Sequence, residues 1–165
     1  MMKELASVVE RFPAVQVAFA YGSGVFKQRL SPQTGEAPPM IDFVFAVENG
    51  LEWHALNLSR PGHSQHYSVL GLLGPSAIYR VQSMASGVYY NTLVDMSLND
   101  KKFVRDVDQK RRFSQYFQQI KYGVVDTRRL VDDLIHWDSL YLSGRLHKPV
   151  ESQVDLHFDL IRLSC

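Results

Sequence analysis

Cysteine is almost missing from this chain. Of its 165 residues one is Cys, and that one is the last, Cys165. An internal disulfide framework is excluded, and so is a metal cage built from thiolates. A single thiol fits a reducing compartment without naming one. Long apolar runs are missing too: no stretch approaches the ~20 residues a helix needs to cross a bilayer. An excess of one charge is also absent, with 18 Lys and Arg against 17 Asp and Glu. That balance excludes the broad electropositive surface of a nucleic-acid binder, so no nucleic-acid partner is expected and anion binding must be local. Residues 1–15 mix Lys3, Glu4, Glu10 and Arg11. They read as neither a secretory signal nor an Arg-rich, acid-poor transit peptide. There is no internal repeat and no low-complexity stretch.

What is present is core-forming material. Apolar residues make up 45% of the sequence, enough for one folded domain and too many for a disordered chain. Lys3 to Arg11 predicts a short helix, with Leu5, Val8 and Val9 at helical spacing and Pro13 to stop it. VQVAFAY (Val15–Tyr21) and MIDFVFAV (Met40–Val47) read as buried strands. Between them, Val25 to Leu30 suits a helical turn and SPQTGEAPP (Ser31–Pro39) a loop. Leu51 to Ser59 predicts a helix halted by Pro61-Gly62. Tyr67–Leu73 and Ser76–Met84 are apolar segments whose type the pattern leaves open.

Ser86–Asp95 (SGVYYNTLVD) and Gln119–Val125 (QIKYGVV) predict two further strands. The charge-dense stretch between them reads as a solvated helix or an inserted excursion, or else as a basic patch facing phosphate or lipid. After it, Asp126 or Thr127 is expected to cap a helix with an apolar stripe of Leu130, Leu134, Trp137 and Tyr141, closed at Gly144. The expected fold is α/β, a mixed twisted sheet of four or five strands with flanking helices. It is expected to occupy residues 1–150, with a charged insertion at about 96–119. A short tail, 151–165, has no clear partner.

Two features carry chemistry. The first strand ends in Gly22-Ser23-Gly24. A glycine lets a ligand approach the backbone closely, exposed amides attract phosphate oxygens, and the serine hydroxyl adds a donor. Such turns are also common for purely structural reasons. The second feature is Asp42, the one charge in an otherwise apolar strand. A buried carboxylate without a partner costs several kcal/mol. A cation, a hydrogen-bond network or an exposed strand end must offset that cost. Magnesium suits a site of carboxylate, phosphate oxygens and water. Together, a Gly-Ser turn on one strand and a carboxylate on the next form the arrangement a metal–nucleotide site requires.

This pattern resembles the nucleotidyltransferase superfamily, in which a Gly-Ser turn precedes Asp-x-Asp/Glu. The resemblance sharpens with YGSGVFKQ (Tyr21–Gln28), MIDFVFAV, WHALNL (Trp53–Leu58), HYS (His66–Ser68), GVYYN (Gly87–Asn91), IKYGVV (Ile120–Val125) and LYLSGRLHKPV (Leu140–Val150). In that order these blocks are similar to the mitochondrial translocator assembly and maintenance proteins, which are phosphatidate cytidylyltransferases. The resemblance implies a nucleotidyltransferase-like fold and the conversion of CTP and phosphatidic acid to CDP-diacylglycerol and pyrophosphate, with Mg2+. It also implies peripheral association with the anionic matrix face of the mitochondrial inner membrane, and a product that feeds cardiolipin synthesis.

Carried onto this chain, the resemblance implies that Gly22, Ser23 and Gly24 hold phosphates and Asp42 holds the metal. Val44 stands where the superfamily has its second carboxylate. Asp95 is the candidate helper, unless it is an exposed strand end. Lys121 is either a point charge for the triphosphate or a surface lysine. His54 and His66 suit satisfied structural roles, and Tyr89, Tyr90, Trp137 and Tyr141 suit packing. Arg145, His147 and Lys148 form a local basic cluster, either for phosphate or anionic lipid or simply solvated. Relatives of this kind continue into a largely helical region, whereas here the sequence turns into ESQVDLHFDLIRLSC. With Val44, that supports a second expectation: a catalytically silent fragment acting as a binding or assembly factor at the inner membrane.

Overall fold

Near-continuous apolar strands are stable only when both faces of their sheet are covered, and the central strands here are covered on both. The computed structural model describes residues 2–22, 40–84, 86–95, 119–137, 139–146 and 150–153. Strand β2 (Ile41–Val47) lies at the centre of a five-stranded mixed sheet. It runs antiparallel to β1 (Val17–Tyr21) and parallel to β4 (Gln119–Asp126). Strand β3 (Val88–Asp95) adds antiparallel to β4, and β5 (Val150–Gln153) antiparallel to β1. The order is β3-β4-β2-β1-β5. Three residues of the expected tail, 151–153, therefore do have a partner, β1. The calls on 25–39, on most of the charged insertion (96–118) and on 154–165 lie outside the described residues.

Side chains alternate across the sheet with period two. Ile41, Phe43, Phe45 and Val47 join Ala18, Ala20, Ile120, Tyr122 and Val124 on one face. There they pack on Leu5 and Val8 of α1 (Met2–Val9), on Phe12, and on Trp53 of α2 (Gly50–Ser59). Val44, Ala46, Val88 and Val125 line the other face. They meet Leu130 of α4 (Thr127–His136) and Leu142 of α5 (Tyr141–Leu146). Helix α3 (Pro75–Met84) packs against α2. Tyr67–Leu73, left open by its pattern, lies in and beside two 3-10 turns, His63–His66 and Val69–Leu73. Gly62 and Gly74, at φ 82° and 83°, flank them.

A directed chain of hydrogen bonds runs beneath the sheet. Asp126 Oδ2 accepts from Gln82 Nε2 (3.4 Å), and Gln82 Oε1 accepts from His54 Nε2 (2.8 Å). That fixes His54 Nδ1 as the acceptor of the Tyr67 hydroxyl (2.8 Å). Asn57 Nδ2 then donates to both Tyr67 and Tyr122 (2.9 and 3.1 Å). His66 Nδ1 completes the chain at the Tyr122 hydroxyl (3.1 Å). His54 is fully buried with both ring nitrogens bonded, the structural role expected of it. Asp126 occupies the cap position of α4 but makes no side-chain capping bond there. Its Oδ1 instead accepts from Gly50 N at the start of α2 (2.6 Å), tying β4 to the opposite layer.

The helix after β4 ends earlier than its apolar stripe implies. It stops at His136, with Trp137 in the left-handed region at φ 58°. Gly144 is no cap but lies inside α5. Of the stripe, Leu130 is buried, whereas Leu134 is 39% and Trp137 56% exposed. The cause is Asp133, which turns inward and accepts from Ser139 N, Ser139 Oγ, Leu142 N and Ser143 N. Burial alone would raise its pKa; these bonds outweigh burial and hold it at about 2.

Two outcomes follow. Asp133→Asn removes the charge those four donors satisfy, and is expected to cost roughly 2 kcal/mol in denaturant unfolding. In the parent chain this contribution is complete above the ordinary carboxylate pKa of 3.8 and is lost as pH falls toward 2. His66 behaves in the same sense at higher pH. Burial, and then the neighbouring His63, lower it to about 4. The unfolded chain therefore binds more protons, and Tm falls as pH drops from 6.5 toward 4. His66→Asn should flatten that part of the Tm–pH profile. An unchanged slope contradicts the assignment.

Candidate active site

Asp42 is the second residue of β2, and the sheet register decides its neighbours. Tyr21 of β1 lies opposite it on one side and Lys121 of β4 on the other. The period-two rule puts all three on the face that carries α4 and α5. Asp42 is half-buried in a central strand, not on an edge. β1 ends beside it at Gly22, whose φ is 95°. A Cβ placed on Gly22 would lie 3.5 Å from Asp42 Oδ2. Gly22, at the end of one strand, and the carboxylate on the next therefore adjoin. Ser23 and Gly24 lie outside the described residues.

Two cations gather around one ring. Lys121 Nζ stands 4.8 Å from the centroid of Tyr90, and Arg145 Cζ 5.4 Å from the same centroid. Tyr90 lies opposite Gly123 on the neighbouring strand. A Cβ on Gly123 would be 2.6 Å from Tyr90 Cε1, so the glycine makes room for the ring. Arg145 Nη1 donates to the Tyr21 hydroxyl (3.1 Å) and Nη2 to the Tyr141 hydroxyl (2.9 Å). Its guanidinium also lies 4.6 Å from the Tyr141 ring centroid. The Tyr21 and Tyr90 hydroxyls are 3.5 Å apart. Burial raises the pKa of Tyr21 and pushes that of Tyr90 further up, so both phenols stay neutral. The result is one carboxylate and two cations over an aromatic floor. The field suits a polyanion that brings its own divalent ion.

Not every expected residue joins this group. Asp95 sits exposed at the end of β3, opposite Gln119, with β4 between it and β2. Val44, at the second-carboxylate position, is 1% exposed between Phe19 and Gly123. Among the described residues no cluster of three or more His, Cys, Asp or Glu forms a metal cage. Of the basic cluster, Arg145 reaches the site; His147 and Lys148 lie outside the described residues. Tyr90 and Tyr141 do pack as expected, and in packing they also orient the cations. A cleft of about 690 Å³ lined by Glu48, Asp126, Thr127 and Arg129 lies at the other end of β2 and β4 and contains none of these groups. Chemistry, not volume, selects the Asp42 end.

The family model described as mitochondrial phosphatidate cytidylyltransferase matches residues 5–163. The chain belongs to that family. It is 43% identical over 145 residues to the mitochondrial phosphatidate cytidylyltransferase of Danio rerio, covering 87% of this chain and 37% of the relative. To those of Dictyostelium discoideum and Homo sapiens it is 37% identical, over 161 and 146 residues. These alignments cover 90% and 87% of this chain but 33% and 27% of the relatives. The chain thus spans about a third of the length of the curated relatives it matches. Within the family, the pairing of Tyr21 with Arg145 was the feature least visible from sequence. Its signal lay in two matching blocks, YGSG and SGRL, that are far apart in the chain.

Gly22→Ala tests the geometry directly. A side chain at this φ is strained by roughly 1–2 kcal/mol, and its methyl occupies the space beside Asp42 Oδ2. For the Mg2+·CTP binding proposed below, the expected result is a small fall in Tm and a large loss of affinity by calorimetry. Unchanged affinity contradicts a ligand at this turn.

Proposed function

We propose that this chain forms the nucleotide-binding and catalytic part of a phosphatidate cytidylyltransferase, working with Mg2+. The observation that carries this reading is the approach of the Gly22 turn to Asp42 Oδ2, with Lys121 in register beside the carboxylate. The residues fit magnesium: the Asp42 carboxylate adjoins a glycine that contributes no side chain of its own, and this ion accepts one carboxylate completed by phosphate oxygens and water. When bound, the ion neutralises charge on the triphosphate during phosphoryl attack.

The rest falls to the chain's own groups. Gly22 and Ser23, with Gly24, cradle the phosphates, and Asp42 holds the ion-bearing side of the triphosphate in place. Lys121, steadied by Tyr90, supplies a point charge to the phosphate oxygens. A phosphatidate oxygen bonds to the α-phosphorus of CTP while the bond from that phosphorus to the β-bridging oxygen breaks. CDP-diacylglycerol and pyrophosphate result. Positioning and electrostatics carry the step, with no covalent enzyme intermediate. Asp95 stands one strand away from this group, with β4 between it and Asp42.

A mitochondrial setting is supported by the names of the relatives. No helix of the described residues is long and apolar enough to cross a membrane. That is compatible with peripheral association at the anionic matrix face of the inner membrane, where the product supplies cardiolipin synthesis.

The test is incubation of purified chain with labelled CTP, phosphatidic acid and Mg2+. Labelled CDP-diacylglycerol should form, and Asp42→Asn should lower the rate by roughly 10²–10³-fold. No product from the parent chain, with Mg2+·CTP binding intact, contradicts the catalytic reading and favours a silent binding fragment.

A further inference from the structure

The Asp42 reading uses a turn, a carboxylate and a lysine, and it leaves Arg145 unexplained. A guanidinium taken partly out of water normally meets a carboxylate. Among the described residues Arg145 makes no ion pair. Its partners are the hydroxyls of Tyr21 and Tyr141 and the ring faces of Tyr21, Tyr90 and Tyr141. Those contacts fix its direction without cancelling its charge, because the phenols of Tyr21 and Tyr90 are held neutral. Two of its five N–H donors are engaged, which leaves the others for an acceptor. Tyr21, whose hydroxyl accepts from Arg145 Nη1, stands opposite Asp42 in the β1–β2 register, so the Arg145 charge lies next to the proposed nucleotide site. Its carrier, α5, is pinned by Asp133 through Leu142 N and Ser143 N. An entropically expensive, aimed, uncompensated cation is the form a protein gives to an anion-binding group.

We infer that Arg145 is a substrate-binding residue that grips a phosphate group, held ready by a tyrosine cage of Tyr21, Tyr90 and Tyr141. The inference rests on the proposed nucleotidyltransferase site for its location. The shared chemistry is a phosphate dianion. It belongs either to the nucleotide's polyphosphate or to the phosphomonoester headgroup of the lipid. Tyr21 and Tyr141 are positioning residues that act through the guanidinium.

Calorimetric titration of the 165-residue chain tests this with three probes: Mg2+·CTP, dioctanoyl phosphatidic acid and inorganic pyrophosphate. Arg145→Gln should weaken at least one by roughly tenfold or more, the scale of one charge-assisted contact. A loss confined to Mg2+·CTP assigns the nucleotide, and one confined to phosphatidic acid assigns the lipid. Arg145→Lys should recover only part of the affinity, since an ammonium lacks the rigid planar fork that bonds both phenols and presents further N–H groups in a fixed direction. Tyr141→Phe should fall between parent and Arg145→Gln. Equal binding of all three probes by parent and Arg145→Gln overturns the inference. If Arg145→Gln melts at much lower temperature, Arg145→Lys decides: affinities equal to the parent overturn it. Asp42→Asn, run beside them, reports on the metal reading separately. Should the parent bind neither Mg2+·CTP nor phosphatidic acid, that reading fails. Pyrophosphate binding lost in Arg145→Gln still supports the anion role, and pyrophosphate not bound, or bound equally, ends it.

Discussion

One carboxylate in the second position of a central apolar strand is the constraint to which the rest of this end of the molecule answers. Asp42 cannot be removed to an edge, because β1 and β4 flank its strand on both sides. The end of β1 puts no side chain over it, because Gly22 stands there, and a Cβ at Gly22 would lie 3.5 Å from Asp42 Oδ2. Lys121 follows from the parallel register of β4, which sets it level with Asp42. The local chemistry is thus dictated by strand pairing more than by loops. A parallel pair bounded by antiparallel partners fixes the groups to within the tolerance of the sheet itself.

The two faces of the sheet divide the work. Below it, Asp126, Gln82, His54, Tyr67, Asn57 and Tyr122 form a network in which donors and acceptors alternate from carboxylate to phenol. Its members specify how α2 and α3 sit on the strands, since a shift of either helix would strand a buried polar atom. Above it, Asp133 performs a comparable task with a single carboxylate. It joins the end of α4 to the start of α5 and so sets where Arg145 can reach. Polar groups far from the proposed chemistry therefore govern its geometry. The apolar core supplies rigidity.

Much of this was legible in the residues. Val15–Tyr21, Met40–Val47, Ser86–Asp95 and Gln119–Val125 read as strands because their apolar and β-branched content is dense and bounded by turn formers, and strands stand there. The adjacency of Gly22 and Asp42 was legible because consecutive strands tend to pair. The end of α4 was not. Leu134 and Trp137 continue an apolar period, but Asp133, a single polar residue, has more hydrogen bonds to gain by breaking the helix. Arg145 was legible only as one basic residue among three. Its cage joins β1, β3 and α5, and no local pattern encodes a contact between residues 21 and 145. The partner of 151–153 was hidden for the same reason: a four-residue edge strand carries too little pattern to announce its pairing.

The central claim is that a divalent ion and a triphosphate are held between the Gly22 turn and Asp42. Manganese in place of magnesium makes that claim visible, since its unpaired electrons broaden NMR signals of nearby nuclei. With Mn2+·CTP added to isotope-labelled chain, the amide signals of Gly22, residues 41–43 and residues 120–122 should broaden first, and Asp42→Asn should abolish the effect. Broadening centred instead on Asp126, Thr127 and Asp132, at the other end of the same strands, contradicts it.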